Sequence, residues 1–233
     1  MNTIQQLLDL FDQACDFNSF IASGNEITLA NLQDFSSQFT HIYGNHLTGK
    51  THLLKAWVNL AAHRGQSSIY LDANSLNLDT LQYINANLDQ HRFIAIDNIE
   101  MLDNLLQIEL FNLFNQIILH GMNNYLLTSS LMNLNAPNPL RIDLKTRIYS
   151  GLVFGLRSFN QEELLNALLI YTKREGITIG NAELNYLLSH YTRNLGQLIQ
   201  FINQLSNYAL TYKKTITIPI IKHNISLKNN YTQ

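Results

Sequence analysis

Eight consecutive residues, Gly44-Asn45-His46-Leu47-Thr48-Gly49-Lys50-Thr51, fit the spacing G-x-x-x-x-G-K-[ST] at every constrained place. Each fixed type has a chemical task. The glycines let successive backbone N–H groups curl around a phosphate, Lys50 supplies a point charge to the β/γ oxygens, and Thr51 offers a hydroxyl to Mg²⁺. A helix opening directly behind the loop aims its N-terminal dipole at the anion. The chemistry is nucleotide binding, with residues 44–51 as the cradle. A glycine-rich turn carrying a surface lysine is the plain alternative, and the flanking elements decide between them.

Those elements have the required order. Phe39-Thr40-His41-Ile42-Tyr43 reads as a buried strand before the loop, and Thr51-His52-Leu53-Leu54-Lys55-Ala56-Trp57 opens a helix after it. From about 37 to 158, short apolar runs (38–43, 67–72, 92–97, 124–129, 152–156) alternate with helix-period segments (50–63, 78–88, 103–120, 140–148). Strand alternating with helix predicts an α/β core with a parallel sheet covered on both faces. Beyond 159 the pattern is helical only: 160–175, 181–191 and 195–213, the first opened by an Asn160 cap and acidic Glu162 and Glu163. Ile216-Thr217-Ile218-Pro219 reads as a short extended piece before a last helical turn. The expected organisation is a leader at 1–16, an α/β nucleotide-binding core at 17–158 and a small helical lid at 159–233.

Further polar residues fall where such a core would use them. Phe93-Ile94-Ala95-Ile96-Asp97 is a hydrophobic strand ending in a carboxylate that can hold Mg²⁺ through water, making Thr51 and Asp97 the candidate metal residues. Capping of the next helix is the alternative role for Asp97. Directly after it, where hydrolysing ATPases often place a glutamate to polarise water, stands Asn98, which cannot take a proton. Glu100 reads as a helix N-terminal acid. The expectation is a site that binds nucleotide well and hydrolyses its own ATP poorly. Thr128 and Ser129 end the strand Tyr125-Leu126-Leu127, either as a γ-phosphate sensor, with Thr128 the candidate, or as a strand-end turn. Arg147, in Asp143-Leu144-Lys145-Thr146-Arg147-Ile148, is either an ordinary exposed arginine or a finger directed at a neighbour's site.

The bulk numbers exclude several classes. With 233 residues, 46% hydrophobic and 14% charged, the chain can bury a sizeable core. A net charge of −2 gives no global electrostatic reason for nucleic-acid binding. No apolar run has the length of a membrane span, and one cysteine, Cys15, cannot form an intrachain disulfide; both fit a cytoplasmic protein.

Taken together, the residues resemble the AAA+ module of the bacterial replication initiator DnaA, and more closely its shorter relatives, the DnaA regulatory inactivator family Hda. The resemblance rests on Phe17-Asn18-Ser19-Phe20, the phosphate loop, Ile96-Asp97-Asn98-Ile99-Glu100, Glu109-Leu110-Phe111-Asn112-Leu113-Phe114-Asn115, the Arg147 segment and Thr217-Ile218-Pro219. No helix-turn-helix domain follows the lid, as one does in DnaA. The leader Gln6-Leu7-Leu8-Asp9-Leu10-Phe11 reads by itself as part of an amphipathic helix. Within the family it is similar to the peptide that docks on the sliding clamp (β subunit) of DNA polymerase III, with Gln6 hydrogen-bonding and Leu10 and Phe11 as anchors.

The resemblance implies a regulator that carries ADP (or ATP) with Mg²⁺, meets DNA only through the clamp, and associates with the nucleoid or replisome rather than a membrane. It implies that Arg147 acts in trans on ATP-bound DnaA, leaving the inactive ADP form; a homodimer is left open. One departure stands out. AAA+ lids present an arginine to the nucleotide from the start of a late helix, where this chain has Gly196, with Arg193 three residues earlier. Two other classes compete: a helicase-loader-type AAA+ ATPase acting on DNA, and a metabolic P-loop kinase, for which no acceptor base is evident.

Overall fold

A computed structural model describes residues 15–20, 22, 24–119, 123–137 and 139–230. The clamp-docking reading of Gln6–Phe11 therefore falls outside the described residues. The chain divides into two compact units, residues 1–158 and 159–233.

In the first unit, α1 (Glu26–Gln33) precedes five strands alternating with helices: β1 (Phe39–Tyr43), α2 (Lys50–His63), β2 (Ser68–Asp72), α3 (Leu78–Ala86), β3 (Phe93–Asp97), α4 (Asn104–Leu119), β4 (Tyr125–Ser130), α5 (Ile142–Tyr149) and β5 (Leu152–Gly155). The strands form one sheet in the order β2-β3-β4-β1-β5, and every neighbouring pair is parallel. Parallel strands require crossover helices, and those helices cover both faces.

The two-residue period of a strand then decides what each face buries. Ile94, Ile96 and Leu126 pack with Leu81 and Ile84 of α3, Leu110, Leu113 and Phe114 of α4, and Leu144 and Ile148 of α5. Phe93, Ala95 and Leu127 face the other way, onto Leu53, Leu54, Trp57 and Ala61 of α2 and Leu29 and Leu32 of α1. All five residues of β3 are buried. That double burial explains why its sequence is a continuous apolar run ending in a carboxylate rather than an alternating one.

The second unit contains α6 (Gln161–Arg174), α7 (Asn181–His190), α8 (Leu195–Tyr212) and α9 (Ile218–Asn230) around a core that includes Leu168, Leu187, Leu198, Phe201 and Ile221. Asn160 and Glu163 form a reciprocal capping box, with side-chain to backbone bonds of 2.9 and 2.8 Å. Asn194 caps α8 by accepting the Gln197 N–H at 2.9 Å.

One expectation is corrected by the end of the chain. Ile218 and Pro219 are not extended but open the 13-residue helix α9, whose first closing bond runs from Ile221 N–H to Thr217 C=O at 3.0 Å. A proline is tolerated in a first turn because the N–H it lacks has no intrahelical acceptor there. Glu100 does lie in the first turn of a helix, but a short 3₁₀ one (Ile99–Met101) ahead of α4. It accepts the Leu131 N–H at 3.0 Å, tying that turn to the end of β4.

Candidate nucleotide-binding site

The phosphate loop joins β1 to α2 at the carboxyl edge of the sheet, the edge at which open α/β sheets bind ligands. Its shape depends on two left-handed residues, Leu47 (φ 69°) and Gly49 (φ 88°). A Cβ at Gly49 would also meet the Phe20 ring at 2.5 Å. The entry segment is thus packed directly on the loop. Ser19 and the backbone carbonyl of Asp16 fasten it to His52 in the first turns of α2, at 3.2 and 2.9 Å. At Gly44, a Cβ would stand 2.9 Å from the Thr48 hydroxyl, which instead bonds the Asn45 carbonyl at 3.0 Å.

Lys50 is buried and donates to the loop's own carbonyls, Gly44 at 2.6 Å and Asn45 at 3.1 Å. Burial pulls its ammonium pKa down, and the nearby carboxylates of Asp97 and Glu100 oppose that shift. Contact with a phosphate oxygen would exchange a carbonyl partner for an anion, a stronger, charge-assisted bond. His46 and Leu47 sit on the exposed side of the loop.

Asp97 is fully buried and heavily bonded. Its Oδ2 accepts from the Thr51 hydroxyl at 2.6 Å and from the Tyr70 hydroxyl at 3.0 Å. Its Oδ1 accepts from the Ser129 hydroxyl and from the Asn98 N–H, the latter at 3.1 Å. The structure therefore brings Thr51 and Asp97 side by side, and the pair fits Mg²⁺ in the chemistry of its donors: hard oxygens, one carboxylate and one hydroxyl. Among the described residues there is no cluster of three His, Cys, Asp or Glu. Magnesium held by Thr51 and Asp97 would thus be completed by phosphate and water, its common mode in nucleotide sites, and would supply neutralisation of phosphate charge.

Asn98 adopts the left-handed conformation (φ 58°, ψ 46°). Its amide turns to the end of β2, donating to Asp72 Oδ1 at 3.1 Å. An amide has no basic atom with which to take a proton from water.

The two hydroxyls at the end of β4 part company. The register that sets Ile96 against Thr128 puts Ser129 beside Asp97, on the face shared with α2. Thr128 points to the opposite face, where its hydroxyl pairs with His41 Nδ1 at 2.8 Å. His41 Nε2 lies 3.0 Å from Ser130 Oγ, and Ser130 donates to the Met132 carbonyl at 2.7 Å. These bonds form a consistent chain for a neutral imidazole with its proton on Nε2: Thr128 to Nδ1, Nε2–H to Ser130, Ser130 to Met132. Burial drives the His41 pKa down to about 3, in keeping with that neutral form.

Sequence reasoning missed Tyr70, which lies two residues before the end of the neighbouring strand; only the pairing of β2 with β3 makes it a diagonal neighbour of Asp97. Arg147 lies in the last turn of α5 with its guanidinium 5.6 Å from the centre of the Phe111 ring on α4. No hydrogen bond joins its side chain to the phosphate loop among the described residues. Gly196 occupies the first turn of α8, and Arg193 is exposed just ahead of the Asn194 cap.

Residues 161–225 match the family model for the Hda lid domain. An uncharacterised protein of Haemophilus influenzae is 25% identical over 206 residues, spanning 84% of this chain and 85% of its own. Domain III of the Thermotoga maritima replication initiation protein DnaA superposes with a TM-score of 0.71 at 22% identity, covering 90% of this chain and 96% of that one. A replication initiator DnaA bound to AMPPCP and single-stranded DNA gives a TM-score of 0.69 at 21% identity, over 82% of this chain. The chain spans 64% of that DnaA's length. These structural likenesses show the fold, a parallel α/β core followed by a C-terminal helical unit, as in DnaA. No described helix is long and apolar enough to cross a membrane.

Proposed function

We propose that this Hda-like, DnaA-related AAA+ protein is a regulator of replication initiation that binds a nucleotide in order to act on DnaA rather than to consume the nucleotide itself. The observation that carries the reading is the combination of an Hda-type lid with a complete phosphate loop in which Asn98 replaces a water-polarising carboxylate. The DnaA that binds AMPPCP shares this fold, which supports a nucleotide, ADP or ATP with Mg²⁺, at residues 44–51 and Asp97.

In the finer reading, the leader Gln6–Phe11 docks the protein on the sliding clamp loaded on DNA. Arg147 then enters the ATP site of DnaA and stabilises charge on the transferring phosphoryl group, leaving ADP-bound DnaA. Two features favour Arg147 for that task. It stands at the end of a helix, and its guanidinium is held over Phe111 rather than consumed in an ion pair among the described residues. A stacked, delocalised guanidinium keeps its donors available in a fixed plane.

A reconstituted reaction with ATP-loaded DnaA, clamp and DNA tests the proposal by following nucleotide conversion on DnaA. Arg147→Ala is expected to remove most of the stimulation, since an arginine finger contributes about 10³–10⁵ in rate. Deletion of residues 1–12 is expected to weaken retention on the clamp while leaving nucleotide binding intact. Full stimulation by Arg147→Ala would remove the finger assignment. Tight, salt-sensitive DNA binding by the protein alone would instead favour a loader-type AAA+ protein acting on DNA.

A further inference from the structure

Asp97 accepts four hydrogen bonds from the described residues, two on each oxygen. A carboxylate offers about four lone-pair sites, so a further donor must displace one of those present. The four are not equally displaceable. Thr51 can donate its proton to Asp97 while its oxygen lone pairs remain open to a metal, so it has no need to leave. Ser129 is fully buried and would be stranded without Asp97. The Asn98 N–H, fixed by the left-handed turn behind β3, is shared at 3.1 Å between Asp97 Oδ1 and Ser129 Oγ. Both donors serve Oδ1 and leave Oδ2 to Thr51 and Tyr70. Tyr70 is only half-buried, and its ring lies beneath the Lys55 ammonium at 5.1 Å. Of the donors on Oδ2 its hydroxyl is therefore the one that can leave Asp97 for solvent, and leaving costs about one hydrogen bond.

We propose that the Tyr70 hydroxyl is a placeholder on Asp97 Oδ2, standing where a water of a hydrated magnesium ion would donate. The inference rests on the nucleotide-site reading above. It assigns Tyr70 a positioning role that limits how much magnesium adds to nucleotide affinity. The protein then holds its nucleotide through the loop amides and Lys50, with or without the metal. Such a site suits retention of nucleotide more than turnover.

The test is calorimetric titration of ADP into the full-length protein, in magnesium and again in EDTA, for wild type and Tyr70→Phe. Phenylalanine keeps the ring and removes only the hydroxyl. Wild type is expected to bind ADP with nearly the same affinity in both buffers. Tyr70→Phe is expected to bind about fivefold more tightly in magnesium than in EDTA, the factor corresponding to one freed acceptor. An equal or smaller magnesium effect in the variant overturns the proposal. A wild-type affinity that collapses in EDTA overturns it without recourse to the variant. Absence of ADP binding by wild type in either buffer would instead overturn the nucleotide site itself.

Discussion

Thr128 and Ser129 are adjacent hydroxyls in one strand, yet they belong to different chemistries because successive side chains leave opposite faces of the sheet. Ser129 completes the acceptor shell of Asp97, whereas Thr128 satisfies a buried histidine. Thr128→Val should therefore behave as a core defect. Removing the donor leaves His41 Nδ1 buried and unpaired, at a cost of about 1–3 kcal/mol in unfolding free energy. ADP affinity of the folded protein should stay within about twofold of wild type, well under the energy of one hydrogen bond. Chemical denaturation together with calorimetry separates the two effects. A tenfold loss of affinity at unchanged stability would mean that Thr128 serves the nucleotide after all.

At the scale of elements, the lid shows how local sequence becomes structure. The reciprocal bonds between Asn160 and Glu163 satisfy N–H groups that no helix can pair internally, and Glu162 and Glu163 add negative charge where the dipole welcomes it. Asn160→Ala is expected to cost about 1 kcal/mol and to speed amide exchange in the first turn of α6, with exchange in β3 unchanged. Uniform acceleration throughout the chain would show that α6 opens only with the whole protein. The start of α9 carries the opposite lesson. Ile216-Thr217-Ile218-Pro219 has β-branched residues and a proline, all of which favour extended backbone locally. Packing of Ile216 and Ile221 into the lid core overrides that preference, and the first turn accommodates Pro219.

For the molecule as a whole, His41 links stability to pH. Its pKa is about 3 when folded and 6.5 in its ordinary state, so the unfolded chain binds the extra proton between those values. Stability is full above about pH 6.5 and falls as the pH drops toward 3, by about 1.4 kcal/mol per unit where only the unfolded chain is protonated. The lowered carboxylates add their own losses near and below their ordinary values, 4.5 for Glu26 and 3.8 for Asp16, Asp72 and Asp143, so the part of the decline above about pH 5.5 is the part that tests His41. Urea midpoints at pH 7, 5.5 and 4.5 should fall in order; equal midpoints would contradict the buried neutral imidazole. The sequence by itself determined the phosphate loop, the apolar strand ending in Asp97, the alternation of strands with helices and the change to helices alone after 159. Each of these is a local pattern whose chemistry requires particular residue types at fixed spacing. Only tertiary structure decided that Ser129 rather than Thr128 meets Asp97, that Tyr70 shares the same carboxylate, and that Glu100 ties a turn to β4. Those facts depend on strand order and register, which bring together residues 27 to 32 positions apart in the chain.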